Sequence, residues 1–161
     1  MINPKVKIKL EEQINLEMYS SYLYIAIANE FEYRNLNGFA KYFFNAAQEE
    51  TTHAFKIIKY LNDNSEKINL YSIQTPTTGW NTVDDILTAT VEHEQLVSER
   101  INSIKSLSED VRDYVTSQFI NWFINEQIEE ENKVITLRDR IAYLNNDMSK
   151  IILYDLELNE D

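Results

Sequence analysis

The segment FAKYFFNAAQEETTHAFKIIKYL, residues 39–61, settles the architecture. Ala40, Phe43, Ala47, Glu50, Ala54, Ile57 and Leu61 recur at alternating spacings of three and four, which is one face of an α-helix. That face is apolar except at Glu50, and His53 follows one turn later on the same side. A buried helix with a carboxylate and an imidazole in the middle of its apolar stripe needs partners that explain both.

The flanking sequence supplies three more helices of the same kind. Upstream, Asn3-Pro4 reads as a cap with proline in the first turn, and nothing breaks a helix from there to about Arg34. Its face is Leu10, Ile14, Glu17, Ser21, Tyr24, Ala28 and Phe31, and Asn35-Leu36-Asn37-Gly38 forms the turn into the helix beginning near Phe39. Downstream, periodicity is lost between Asn62 and Asn81, where Pro76 and Gly79 fall. Thr82-Val83-Asp84-Asp85 reads as a capped start with acids at the positive end of the dipole. The third helix presents Val83, Leu87, Thr90, Glu94, Val97, Ile101 and Ile104. Ser108-Glu109-Asp110 reads as a further start, and the fourth helix runs to about Asn145 with Ile120, Phe123, Gln127, Glu130, Val134, Leu137, Ile141 and Leu144 on its face.

The expected fold is all-α, one domain over residues 1–161: a four-helix bundle over about 4–145 and a short fifth helix over about 147–158. Short turns make the first and last helix pairs antiparallel. The middle connection, about 18 residues, can span ~60 Å, whereas a 25-residue helix is only ~38 Å long. It is expected to cross the bundle and make the second and third helices parallel. The tail carries Met148, Ile151, Ile152, Leu153, Leu156 and Leu158, too apolar to stay in water, so it must dock.

Composition narrows the function. With 27 acidic against 15 basic residues the net charge is −12, which argues against a nucleic-acid partner. No apolar run is long enough for a membrane span. The absence of cysteine excludes disulfides and thiolate metal sites, and with no signal-like run after Met1-Ile2-Asn3-Pro4-Lys5 the expected setting is the cytoplasm.

Each stripe holds one central glutamate: Glu17, Glu50, Glu94 and Glu130. Four carboxylates at one level of a core repel one another and resist burial, and no Lys or Arg lies in a stripe to offset them. Two divalent cations balance the set. Oxygen donors with the single imidazole of His53 suit iron or manganese better than zinc or copper. His93, between Glu92 and Glu94, is expected off the stripe and solvated; Glu131, Trp122 and most of the ten tyrosines are expected on an ordinary charged face or in packing.

These residues resemble the bacterial non-haem ferritins, along the whole chain. The resemblance rests on Glu17, Glu49-Glu50-Thr51-Thr52-His53, Glu94 and Glu126-Gln127-Ile128-Glu129-Glu130. It implies a ferritin-like bundle in which Glu17, Glu50 and His53 bind a first iron, and Glu50, Glu94 and Glu130 a second. It also implies that Gln127 hydrogen-bonds near bound oxygen, that Tyr24 donates electrons, and that Glu49, Glu126 and Glu129, with Glu130, hold a third ion. Ferrous iron would be oxidised by dioxygen or hydrogen peroxide and stored as ferric mineral in a 24-subunit homo-oligomeric shell, with the fifth helix on its four-fold axis. Haem is not expected, because Thr51 stands where bacterioferritins have a ligating Met, and Gln127-x-x-Glu130 where they have Glu-x-x-His. Two readings stay open beside this one. One is another di-iron bundle, peroxide-reducing or oxygenase-like, though such bundles usually carry two Glu-x-x-His motifs. The other is a metal-free helical interaction module with protonated core acids.

Overall fold

The computed structural model describes residues 2–160; Met1 and Asp161, the ends of the expected domain, lie outside the described residues. Five helices follow in order: α1 (Pro4–Tyr33), α2 (Asn37–Asp63), α3 (Val83–Asp110), α4 (Tyr114–Tyr143) and α5 (Met148–Glu160). Their starts are chemically marked. Asn3 accepts from the Lys5 amide, with Pro4 at the first helical position. Thr82 and Asp85 form a reciprocal capping box at α3.

Two boundaries differ from expectation. Ser108-Glu109-Asp110 ends α3 instead of opening α4, because the Ser108 hydroxyl folds back onto the Ile104 carbonyl at 2.8 Å and caps nothing. The break falls at Arg112, in the left-handed region at φ 60°, and Asp113 caps α4 by accepting from the Thr116 amide at 3.1 Å. Likewise α2 starts at Asn37, not Phe39, and Gly38 lies inside its first turn.

The core consists of two apolar clusters with a polar layer between them. One cluster contains Tyr24, Phe31, Phe39, Phe43, Leu87 and Ile141; the other contains Leu10, Ile14, Ile57, Leu61, Ile101 and Phe123. Chain order through the clusters gives the topology. α2 and α3 both run from the Phe39 cluster to the Ile57 cluster, while α1 and α4 run the opposite way. The parallel pair therefore requires residues 64–82 to traverse the bundle, and three contacts lay that crossover along α1. Glu11 accepts from the Asn69 amide at 2.9 Å, Asn15 donates to the Ser72 carbonyl at 3.1 Å, and Arg34 donates to the Trp80 carbonyl at 2.7 Å.

The tail docks on α2. The Asp155 carboxylate accepts from the Phe39 amide at 2.9 Å, and Ile151 enters the Phe39 cluster. Leu36, at the cap position of α2, makes no side-chain cap, so Asp155 satisfies a first-turn amide from a distant helix.

Candidate metal centre

The polar layer is where the four stripes change character. In α1, Glu17 lies between Ile14 and Tyr24; in α2, Glu50 and His53 lie between Ala47 and Ala54. In α3, Glu94 precedes Val97, and in α4, Gln127 and Glu130 lie between Phe123 and Val134. All six are buried. Each is near the midpoint of its helix, so packing four helices of similar length side by side brings them to one level.

Glu17, Glu50 and His53 each offer a ligand atom, all within 4.8 Å of one another; among the described residues this is the one such group of three. His53 Nδ1 lies 3.3 Å from Glu50 Oε2 and 4.0 Å from Glu17 Oε2. Gln13 donates to Glu17 Oε1 at 2.7 Å, which leaves Glu17 Oε2 buried and without a hydrogen-bond partner. An acceptor left without a donor in a core costs about 1–3 kcal/mol, which a proton shared with Glu50 or a bound cation would relieve. The edge of Trp122, itself under the Lys56 ammonium, and the ring of Phe123 close off the imidazole.

The second half of the layer is more hydrogen-bonded. Tyr24 donates its hydroxyl to Glu94 Oε1, and Gln127 donates to Glu94 Oε2 at 3.0 Å and to the Glu94 carbonyl at 3.3 Å. Glu130 Oε1 accepts from the Lys133 ammonium at 2.8 Å. Sequence reading places no base against the core acids, but Lys133, one turn past Glu130, reaches back along α4 to one of them.

Electrostatics follow from this crowding. Burial, and then the charge of Glu50, hold the Glu17 carboxyl well above its ordinary range. Burial pushes Glu50 up to about 8, with Glu94, Glu130 and Glu49 adding repulsion. Burial also pushes Glu94 up to about 7, against the hydrogen bonds from Tyr24 and Gln127. Without a counter-ion, burial favours the protonated forms of Glu17, Glu50 and Glu94, whereas Glu130 is paired with Lys133.

The acids expected at a third site are less gathered. Glu49 and Glu129 are exposed, and half-buried Glu126 has Oε1 3.8 Å from His53 Nε2. Lys133 stands by this group, 4.0 Å from Glu49 Oε2. Glu131, expected on the surface, accepts from Ser98. His93 corrects the expectation of a solvated ring: it is buried, its Nε2 is 2.7 Å from Ser20 Oγ, and burial lowers it to about 4. The signal was present, since Thr90, His93 and Val97 share the three-and-four spacing of the buried face. Gln13 was missed too, although it sits three residues after Leu10 and four before Glu17.

The model of the ferritin-like domain matches residues 8–144. The chain belongs to the ferritin family. It is 31% identical over 159 residues to a bacterial non-heme ferritin of Escherichia coli O6:H1, covering 99% of this chain and 96% of the relative. A bacterial non-heme ferritin of Staphylococcus epidermidis is 30% identical over 158 residues, covering 98% of this chain and 95% of that one. An open pore ferritin from the archaeon Archaeoglobus fulgidus superposes with a TM-score of 0.96 at 29% identity, covering 99% of this chain and 98% of that chain. The fold of this ferritin-family chain is thus a ferritin-like four-helix bundle with a short C-terminal helix.

Proposed function

We propose that the chain is the subunit of an iron store with ferroxidase activity, acting as one domain in the cytoplasm. The observation that carries this reading is Glu17 Oε2, buried without a donor beside Glu50 and His53, in a layer where burial favours the protonated forms of Glu17, Glu50 and Glu94. Such a layer accepts two ferrous ions by releasing those protons. Glu17, Glu50 and His53 would hold the first ion, and Glu50, Glu94 and Glu130 the second. Two ions side by side supply two electrons together. Dioxygen with two protons then becomes hydrogen peroxide, or peroxide with two protons becomes two waters, and both irons become ferric. Tyr24 and Gln127, both bonded to Glu94, would serve the second ion and its oxidant.

Ferric product would mineralise inside a hollow shell of 24 copies. Assembly would cover the apolar side chains left exposed on the crossover and the tail, among them Leu70, Tyr71, Ile152, Leu153 and Leu156. Family membership, with relatives named bacterial non-heme ferritin, supports storage as the role.

Replacing Glu17, Glu50, Glu94 and Glu130 together by Gln tests the reading. Stopped-flow oxidation of added ferrous iron should lose its fast phase while circular dichroism keeps its helical signal. Size exclusion should give a mass of hundreds of kilodaltons for the unaltered protein. A fast phase that survives the four substitutions, or a monomer-sized particle, sinks the proposal.

A further inference from the structure

Lys133 follows Glu130 by three residues, and its stem lies back along α4. The ammonium donates to Glu130 Oε1 at 2.8 Å and sits 4.0 Å from Glu49 Oε2 on α2. The two ends of this pair differ in depth: the Glu130 side chain is 7% exposed and that of Lys133 is 46% exposed. One oxygen of a buried carboxylate is thus held by a cation that arrives from the solvent side.

A protonated lysine has three donors and no lone pair, so it cannot join a metal's ligand set. It also repels a divalent ion that shares its carboxylate. An ion at the second position must therefore displace the ammonium from Glu130 or share Glu130 with it. Lys133 is half exposed on a flexible stem, so withdrawal is cheap and the competition is graded.

We propose that Lys133 is a tethered competitor for Glu130, lowering the affinity of the second metal position and keeping a further ion out of the space between Glu130 and Glu49. This rests on the reading of the polar layer as a di-metal centre. The first position, built with Glu17, Glu50 and His53, does not use Glu130 and is spared. The second ion is held loosely, which favours departure of the oxidised product once the pair has reacted. Lys133 acts through Glu130 and is a positioning residue.

Anaerobic calorimetry with ferrous ion on the assembled protein tests this with three variants. Lys133→Met keeps stem length and helix propensity but removes the charge; Lys133→Arg keeps the charge; Glu17→Gln removes a ligand of the first position. For Lys133→Met we expect the weaker binding phase to tighten about fivefold and a further ion to become measurable. The tight phase and the unfolding temperature of the metal-free protein should hold. Lys133→Arg should behave as the unaltered chain. A weaker phase that moves less than twofold or loosens in Lys133→Met overturns the proposal, as does an Arg variant that behaves like the Met variant. Ferrous binding unchanged by Glu17→Gln would overturn the di-metal reading itself, and the competitor with it. Binding that responds to Glu17→Gln but not to Lys133→Met removes the competitor alone.

Discussion

Gly38→Ala should undock the C-terminal helix and leave the bundle standing. A Cβ built at Gly38 lies 1.9 Å from the Asp155 carbonyl oxygen and 2.9 Å from its carbon. Both are backbone atoms of α5, so no side-chain rotation relieves the clash. Normal contact demands that the two helices separate by about 1.5 Å, since non-bonded heavy atoms settle near 3.5 Å. The bond from the Phe39 amide to Asp155, 2.9 Å long, cannot survive that movement. Loss of this cap is worth about 1 kcal/mol, and partial exposure of Ile151 adds about 1.5–3 kcal/mol. Alanine's better helix propensity returns up to about 1 kcal/mol to α2. The net cost to docking is about 1.5–3 kcal/mol, a factor of roughly 10 to 140 in the docking equilibrium.

Hydrogen exchange on the assembled protein reads this directly. Amides of α5 and the Phe39 amide should lose protection by about that factor, while amides around Glu17, Ile57 and Ile101 keep theirs. Asp155→Asn retains shape and an acceptor oxygen but loses the charge at the α2 N-terminus, so its loss should stay below about 1 kcal/mol. Unchanged protection of α5 in Gly38→Ala would refute the claim that this contact seats the tail.

Two further outcomes follow from the polar layer. Glu50 and Glu94, raised to about 8 and about 7 from 4.5, bind more protons folded than unfolded between those limits. Their contribution to metal-free stability is full below pH 4.5 and is lost as pH rises through about 8, so urea unfolding should show falling stability over that window. Added ferrous ion should stabilise more at pH 8 than at pH 5, and a four-Gln variant should lack both trends; stability that climbs with pH in the parent alone would contradict the assignment. Separately, the two ion positions should be unequal, since only the first has an imidazole. His53→Ala should blunt the tight phase of anaerobic ferrous binding, whereas Glu130→Ala should spare it and still slow oxidation. The reverse pattern in calorimetry and stopped flow would invert the ranking.

Helical stripes were legible because a core face repeats every three and four residues, and all four central glutamates lie buried where that spacing put them. Boundaries were less legible. Ser108 has cap chemistry, yet its hydroxyl turned to the Ile104 carbonyl, a choice that depends on the chain bending at Arg112. His93 was misplaced because its acidic neighbours suggested water, while Ser20 on α1 supplies its partner, and that pairing is tertiary. Lys133 sits beside the α4 stripe, so a face-by-face reading passed over it; only its stem length brings it to Glu130. Asp155 carries no pattern signal of its own, since its role depends on the uncapped start of α2, a tertiary contact.

Crystals of the assembled protein, soaked anaerobically with ferrous iron and measured on both sides of the iron absorption edge, test the central claim most directly. Two anomalous peaks per chain should appear, one among Glu17, Glu50 and His53 and the other among Glu50, Glu94 and Glu130, with the first filling at lower iron. Peaks confined to surface acids, with the polar layer empty at saturating iron, would contradict it.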